Sequence, residues 1–146
     1  VWIGGYGDKL IKVAAEVADG WNWALSLEIM RNRINALERY CDEVGRNFKE
    51  IKKSWDSWVI IAPTKKGVEI KIRQLKLGIN RAMDEFNLAS VNEYKRISVV
   101  GTPEECAERV QQYKDIGITH FMLWFLDYPD MKGVRTFARE VIPQFK

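Results

Sequence analysis

Four runs of apolar and aromatic residues, at positions 1–3, 21–25, 51–62 and 118–126, alternate with amphipathic helical segments, and that alternation restricts the fold more than any other feature. Strands that alternate with helices imply a parallel sheet with right-handed crossovers and helices outside it. The third run supports this. Trp55, Ser57, Val59 and Ile61 face one way and Asp56, Trp58, Ile60 and Ala62 the other, so neither face is polar and both are expected to be covered. Four βα units make half of a (β/α)8 barrel, whose usual whole is roughly 250 residues. A flavodoxin-like sheet, usually of five strands, is the structural rival.

The helices are readable from their spacing. Leu10, Ile11, Ala14, Val17 and Ala18 form the apolar stripe of the first, which Asp19 and Gly20 end. Ser26 stands as the cap of a second, whose stripe is Met30, Ile34, Leu37, Cys41 and Val44, with Gly45 closing it. One long helix is expected from Lys66 to about Leu88, with Val68, Ile72, Leu75, Ile79, Met83 and Phe86 inward, followed by a polar loop to Arg96. Thr102, Pro103 and Glu105 spell a capping box, the clearest helix start in the chain; Cys106, Val110 and Tyr113 are its buried stripe, and Gly117 ends it. A last helix turns Val134, Phe137, Ala138 and Val141 inward and stops at Pro143.

The opening stretch, Val1-Trp2-Ile3-Gly4-Gly5-Tyr6-Gly7-Asp8-Lys9, reads as strand, tight turn and helix N-terminus. Glycine lets a ligand approach the backbone closely, and the first turn of a helix offers unpaired N–H groups at the positive end of its dipole. Such a turn suits a phosphate. The motif is short, however: Gly5 and Gly7 supply only the first two glycines of G-x-G-x-x-G, and no P-loop of the form G-x-x-x-x-G-K-S/T occurs. A plain strand-to-helix turn is the alternative.

Composition narrows the classes. At 146 residues and 47% hydrophobic content the chain can bury a sizeable core in one domain, and it lacks the polar bias of a disordered segment. Its apolar runs are too short to span a bilayer, and no signal peptide precedes them, so the expectation is a cytoplasmic protein with no membrane partner. Cys41 and Cys106 lie far apart with a single histidine, His120, so free thiols are expected and no metal site. Lys65, Lys66, Lys71, Arg73, Lys76 and Arg81 crowd one helix, but Glu69, Asp84 and Glu85 interrupt them; a solvated face is expected, not a nucleic-acid stripe. Val1 falls inside a strand with no initiator Met, as in a piece of something longer.

The run Trp2-Ile3-Gly4-Gly5-Tyr6-Gly7-Asp8-Lys9, then Ala14-Ala15 and Ala18-Asp19-Gly20-Trp21-Asn22, resembles the fifth βα unit and sixth strand of the bacterial luciferase-like monooxygenase family, above all its deazaflavin-dependent branch. Cys41 with Gly45-Arg46, Val100-Gly101-Thr102-Pro103-Glu104-Glu105 and Phe137-Ala138-Arg139-Glu140-Val141-Ile142-Pro143 resemble the family's C-terminal half. The resemblance implies a (β/α)8 TIM barrel of which this chain is the C-terminal four units. It implies FMN or coenzyme F-420 at the C-terminal ends of the strands, with the loop after the fifth strand on the cofactor's phosphate. Gly4, Gly5, Tyr6, Gly7 and Lys9 are then cofactor-binding candidates. It also implies a small-molecule substrate, ring-contacting and catalytic residues largely outside this chain, and a chain that is inactive alone and pairs with its missing N-terminal half or with another copy as a homo-oligomer. A non-catalytic α/β module that binds a phosphorylated ligand is the functional rival.

Where many deazaflavin enzymes of that family carry Gly-Pro-Lys, this chain has Gly7-Asp8-Lys9. The Asp8 charge would repel a phosphate unless it turns away, and Lys9 would offset it. Asp127 follows the last strand, on the catalytic face of a barrel, or serves as a turn acid before Pro129. Trp21, Asn22 and Trp23 either reach the lumen or belong to the core. His120 begins its strand, on the end of a barrel associated with stability, not catalysis.

Overall fold

The computed structural model describes residues 1–146, which form two compact units: Val1–Asp56 with Gln112–Met122, and Ser57–Gln111 with Leu123–Lys146. In chain order the strands are β1 (Trp2–Gly4), β2 (Gly20–Trp23), β3 (Lys52–Ile61), β4 (Val99–Gly101) and β5 (His120–Phe125). The helices are α1 (Asp8–Val17), α2 (Leu27–Val44), α3 (Lys65–Gln74), α4 (Lys76–Glu85), α5 (Val91–Arg96), α6 (Pro103–Asp115) and α7 (Lys132–Thr136). The expected α/β order is present. β1 pairs with β2, β2 with the first part of β3, and the last part of β3 with β4, each in parallel; β5 also pairs with β3.

In the first unit, α1 packs on α2, and Ile11, Ala14 and Ala15 of the one and Met30, Leu37 and Cys41 of the other are buried. The stripe read from spacing is shifted, because Leu10 and Val17 are exposed and Ala15 is buried in their place. Val44, assigned to the buried stripe of α2, is also exposed, while Tyr40 is buried. Arg46 secures the first helix's end, donating through Nη2 to Ala18 O at 2.6 Å and through Nη1 to Ala15 O. Gly45 closes α2 in the left-handed region at φ 73°, as a glycine after a helix does.

The second unit is built on Ile60, Ile79, Ala82 and Tyr94, with Trp58, Ile72, Leu75, Met83, Leu88, Val100 and Leu126 packed around them. The single long helix expected here is two. Leu75 leaves helical torsions at φ −93° and ψ 14°, although its N–H still donates to Lys71 O and Ile79 N–H to Leu75 O. No proline marks the break, and Ile72, Leu75 and Ile79, on one face at helical spacing, all pack in the same cluster across it. The polar stretch read as a loop contains α5. Ser90 accepts from Glu93 N–H and Glu93 Oε2 accepts from Ala89 N–H, a capping pattern legible in Ser90 and Glu93, and buried Tyr94 anchors the helix.

The capping box at Thr102 is realised: Glu105 Oε2 accepts from Thr102 N–H at 2.9 Å and Thr102 Oγ1 from Glu105 N–H at 3.5 Å. Val99–Gly101, too short to announce itself, is a strand. Beyond α7 the chain widens to a π turn over Phe137–Val141, then tightens to a 3-10 turn over Ile142–Phe145. Pro143 therefore sits inside the last turn instead of ending the helix.

Candidate functional site

The turn after β1 is organised by hydrogen bonds to β2. Gly5 N–H donates to Asn22 O at 3.3 Å, and Gly5 O accepts from Trp21 Nε1 at 2.6 Å. Gly5 has φ 135°, a region open in practice to glycine, and a Cβ there would overlap the Leu10 side chain. Gly7 is different. It is the N-cap of α1 at φ −71°, and a Cβ there would meet nothing within 4 Å. Only Gly5 of the three glycines therefore uses the left-handed half of torsion space.

Because Gly7 has no side chain, nothing caps α1 from that position. Leu10 and Ile11 N–H donate back to Gly7 O and Gly5 N–H donates to Asn22 O, so the amides of Tyr6, Gly7, Asp8 and Lys9 lie outside these bonds. All four residues are exposed. These N–H groups stand at or just before the positive end of the ten-residue α1, where negative charge is favoured in general. Asp8 does not contest it: its Oδ1 accepts from Arg33 Nη1 at 2.8 Å, which turns its charge toward α2 and offsets it. Tyr6 lies over Trp23 with ring centroids 5.7 Å apart.

Next to this turn, β2 and β3 bring together three polar side chains. Ser54 Oγ donates to Asn22 Oδ1 at 2.5 Å, and Asn22 Nδ2 donates to Asp56 Oδ2 at 2.8 Å. Asp56 Oδ1 is buried and has no partner. Of the two tryptophans flanking Asn22, Trp21 is wholly buried and belongs to the core, whereas Trp23 is half-buried. Ser54 and Asp56 went unselected in the sequence, although a serine and an aspartate inside an aromatic strand were the signal.

The remaining candidates have other work. Asp127 is nearly buried; its Oδ2 accepts from Lys71 Nζ at 2.5 Å and from Gly133 N–H at 3.1 Å, tying α3 and α7 to the end of β5. His120 is exposed at the start of β5, edge-on to Trp2 at 5.5 Å, with Nδ1 at 2.9 Å from Thr119 Oγ1. Cys41 and Cys106 are buried free thiols. Burial pushes the Cys106 thiol up to about 12, helped by the charges of Glu105 and Glu104, and also raises the Cys41 thiol. Lys53, buried with Nζ 3.9 Å from the Phe48 ring centroid, has its ammonium pushed down by burial. No helix is long and apolar enough to cross a membrane.

Solved structures share this fold. The coenzyme F-420-dependent tetrahydromethanopterin reductase of Methanopyrus kandleri matches at 18% identity and TM-score 0.75, over 99% of this chain and 50% of that one. An F-420-dependent secondary alcohol dehydrogenase in complex with an F-420–acetone adduct matches at 22% and 0.78, covering 99% and 48%. The long-chain alkane monooxygenase LadA matches at 17% and 0.76, covering 98% and 40%. This chain thus has the fold of luciferase-like (β/α)8 barrels and spans about half the length of those it matches. No curated protein matches it. The family model for luciferase-like monooxygenases matches residues 1–120, and the chain belongs to that family.

Proposed function

We propose that this chain is the phosphate-holding C-terminal half of a deazaflavin- or flavin-dependent oxidoreductase acting on a small molecule. The cofactor's phosphate sits on the amides of Tyr6, Gly7, Asp8 and Lys9, over the turn formed with Gly4 and Gly5. The observation that carries this reading is the uncapped N-terminus of α1, with its one acidic residue drawn off by Arg33. Lys9, exposed in the first turn, adds a positive charge beside the seat. Coenzyme F-420 appears in the names of two of the matched structures, and a further one, a riboflavin lyase matched at 15% identity, holds a modified FMN.

When bound, a flavin or deazaflavin supplies hydride transfer, and a flavin also oxygen activation. The chain's own part is to hold and orient. The Gly5 carbonyl is held by Trp21 and the Gly5 amide by Asn22, so the start of the turn is fixed before any ligand binds. Tyr6 and Trp23 wall one side of the turn. β1 and β5 each have one partner strand. A complementary N-terminal half, supplied on the same polypeptide or by a partner, completes the barrel and brings the groups that contact substrate; the chain alone is inactive, and a second copy is the other occupant of its open edges.

The test is a fluorescence titration of FMN and of coenzyme F-420 into the intact gene product and into a Gly7→Asp variant. Aspartate at this position caps α1 and fits the open space at Gly7, so folding is preserved or improved while a negative charge fills the seat. One cofactor binding to the wild type, weakened at least tenfold in the variant, supports the reading. Equal binding by both proteins moves the phosphate elsewhere; no binding of either cofactor leaves a non-catalytic module for another phosphorylated ligand.

A further inference from the structure

We propose that Asn22, Ser54 and Asp56 form a hydroxyl-binding site that receives the polyol arm of the bound cofactor. The register carries the placement: Gly4 lies opposite Asn22, and Asn22 opposite Ser54, so the three share one face of the sheet, and Asp56, two residues further along β3, shares it too. With strands about 4.8 Å apart and a rise of about 3.3 Å per residue, Asp56 stands about 12 Å from Gly4. A phosphorylated arm anchored at the glycine turn passes over these residues.

The hydrogen bonds run in one direction. Ser54 donates to the Asn22 carbonyl and the Asn22 amide donates to Asp56 Oδ2. Two capacities remain: Asp56 Oδ1 is a buried acceptor without a donor, and Asn22 Nδ2 carries a second hydrogen. A buried acceptor left unpaired is costly, so the site favours a ligand that supplies a donor. A hydroxyl meets both needs, giving a hydrogen to Asp56 and accepting one from Asn22; an ammonium or a carboxylate meets one. Asp56 is half-buried and its carboxyl torsion is broad, so a small turn presents the covered oxygen. This deepens the cofactor reading and rests on it for the identity of the ligand.

The experiment uses the intact gene product and whichever nucleus it binds, isoalloxazine or deazaflavin, carrying on its ring nitrogen a methyl group, a ribityl arm or a phosphorylated ribityl arm. In the wild type the ribityl arm improves affinity about tenfold over methyl, the size expected of hydrogen bonds to a charged group. Asp56→Leu abolishes that gain while leaving the further gain from the phosphate. Gly7→Asp does the reverse, so the two readings fail separately. Asp56→Asn keeps the ribityl gain within about threefold, since its amide donates to the hydroxyl where the carboxylate accepted; it also serves if Asp56→Leu does not fold. No ribityl gain in the wild type, a gain that Asp56→Leu retains, or one that Asp56→Asn abolishes overturns the site. So does a fall in the melting temperature of Asp56→Leu with the ribityl gain unchanged, which assigns the missing donor to the protein.

Discussion

The rings of Trp55 and Tyr113 are stacked with centroids 3.5 Å apart and 11° from parallel, and both side chains donate to one acceptor, the carbonyl oxygen of Leu25. Trp55 belongs to β3, Tyr113 to α6, and Leu25 to the loop that leaves β2. Three segments distant in sequence are joined at one buried atom. Tyr113→Phe keeps the stack and removes one of the two donors, and is expected to lower stability by about 1 kcal/mol. Trp55→Ala removes stack and bond together and should cost about 3–5 kcal/mol. Urea unfolding of both variants checks this; equal losses would mean that the hydroxyl, not the ring, secures the loop.

Gly5 and Gly7 respond oppositely to a methyl group. Gly5→Ala forces a left-handed torsion and an overlap with Leu10, and is expected to cost about 1–3 kcal/mol. Gly7→Ala meets open space at an ordinary torsion and should change stability by less than about 0.5 kcal/mol. Thermal melts of the pair distinguish a turn that needs glycine for conformation from one that keeps it for access.

The Cys106 thiol loses its proton near 9 in the unfolded chain and near 12 in the folded one. Between those values the unfolded chain holds fewer protons, so the group's contribution is intact below pH 9 and is lost as pH rises toward 12. The stability of the wild type relative to Cys106→Val is therefore expected to decline by about 1 kcal/mol per pH unit above 9. Native protein at pH 8 should resist thiol-labelling reagents at both cysteines, and labelling of both should follow only in denaturant.

Lys53 carries the opposite sign. Burial holds its folded ammonium below the ordinary 10.5, so the unfolded chain binds more protons between the two values and stability rises with pH across that window. Lys53→Met is expected to exceed the wild type in stability at pH 7, with the difference narrowing toward pH 10. Melting temperatures of both proteins at the two pH values decide it; a difference that widens would show that the Phe48 ring and other neighbours stabilise the charge.

Much of the fold was legible locally. The capping box at Thr102 and Glu105, the left-handed Gly45 and the two-sided burial of β3 all follow from side-chain chemistry within a few residues of one another. Where the local signal erred, packing had decided. Leu75 leaves helical torsions within an apolar period that reads as continuous, while both halves keep their side chains in one cluster with Ile60 and Tyr94. Leu10 and Val17 are apolar and exposed, while Ala14 and Ala15 of the same helix are buried.

The candidate site divides along the same line. Sequence alone located the turn, since three glycines before an amphipathic helix leave few conformations and few caps. It raised the charge of Asp8 as an obstacle but could not show which way that carboxylate turns; Arg33, on another helix, settles that. The grouping of Asn22, Ser54 and Asp56 was equally beyond its reach. Those residues lie 32 and 34 positions apart in pairs, and only the parallel register of β2 against β3 sets them side by side. Local chemistry determined the elements and their ends; register and packing, which depend on residues far apart in the chain, decided which side chains meet and which buried oxygen is left without a donor.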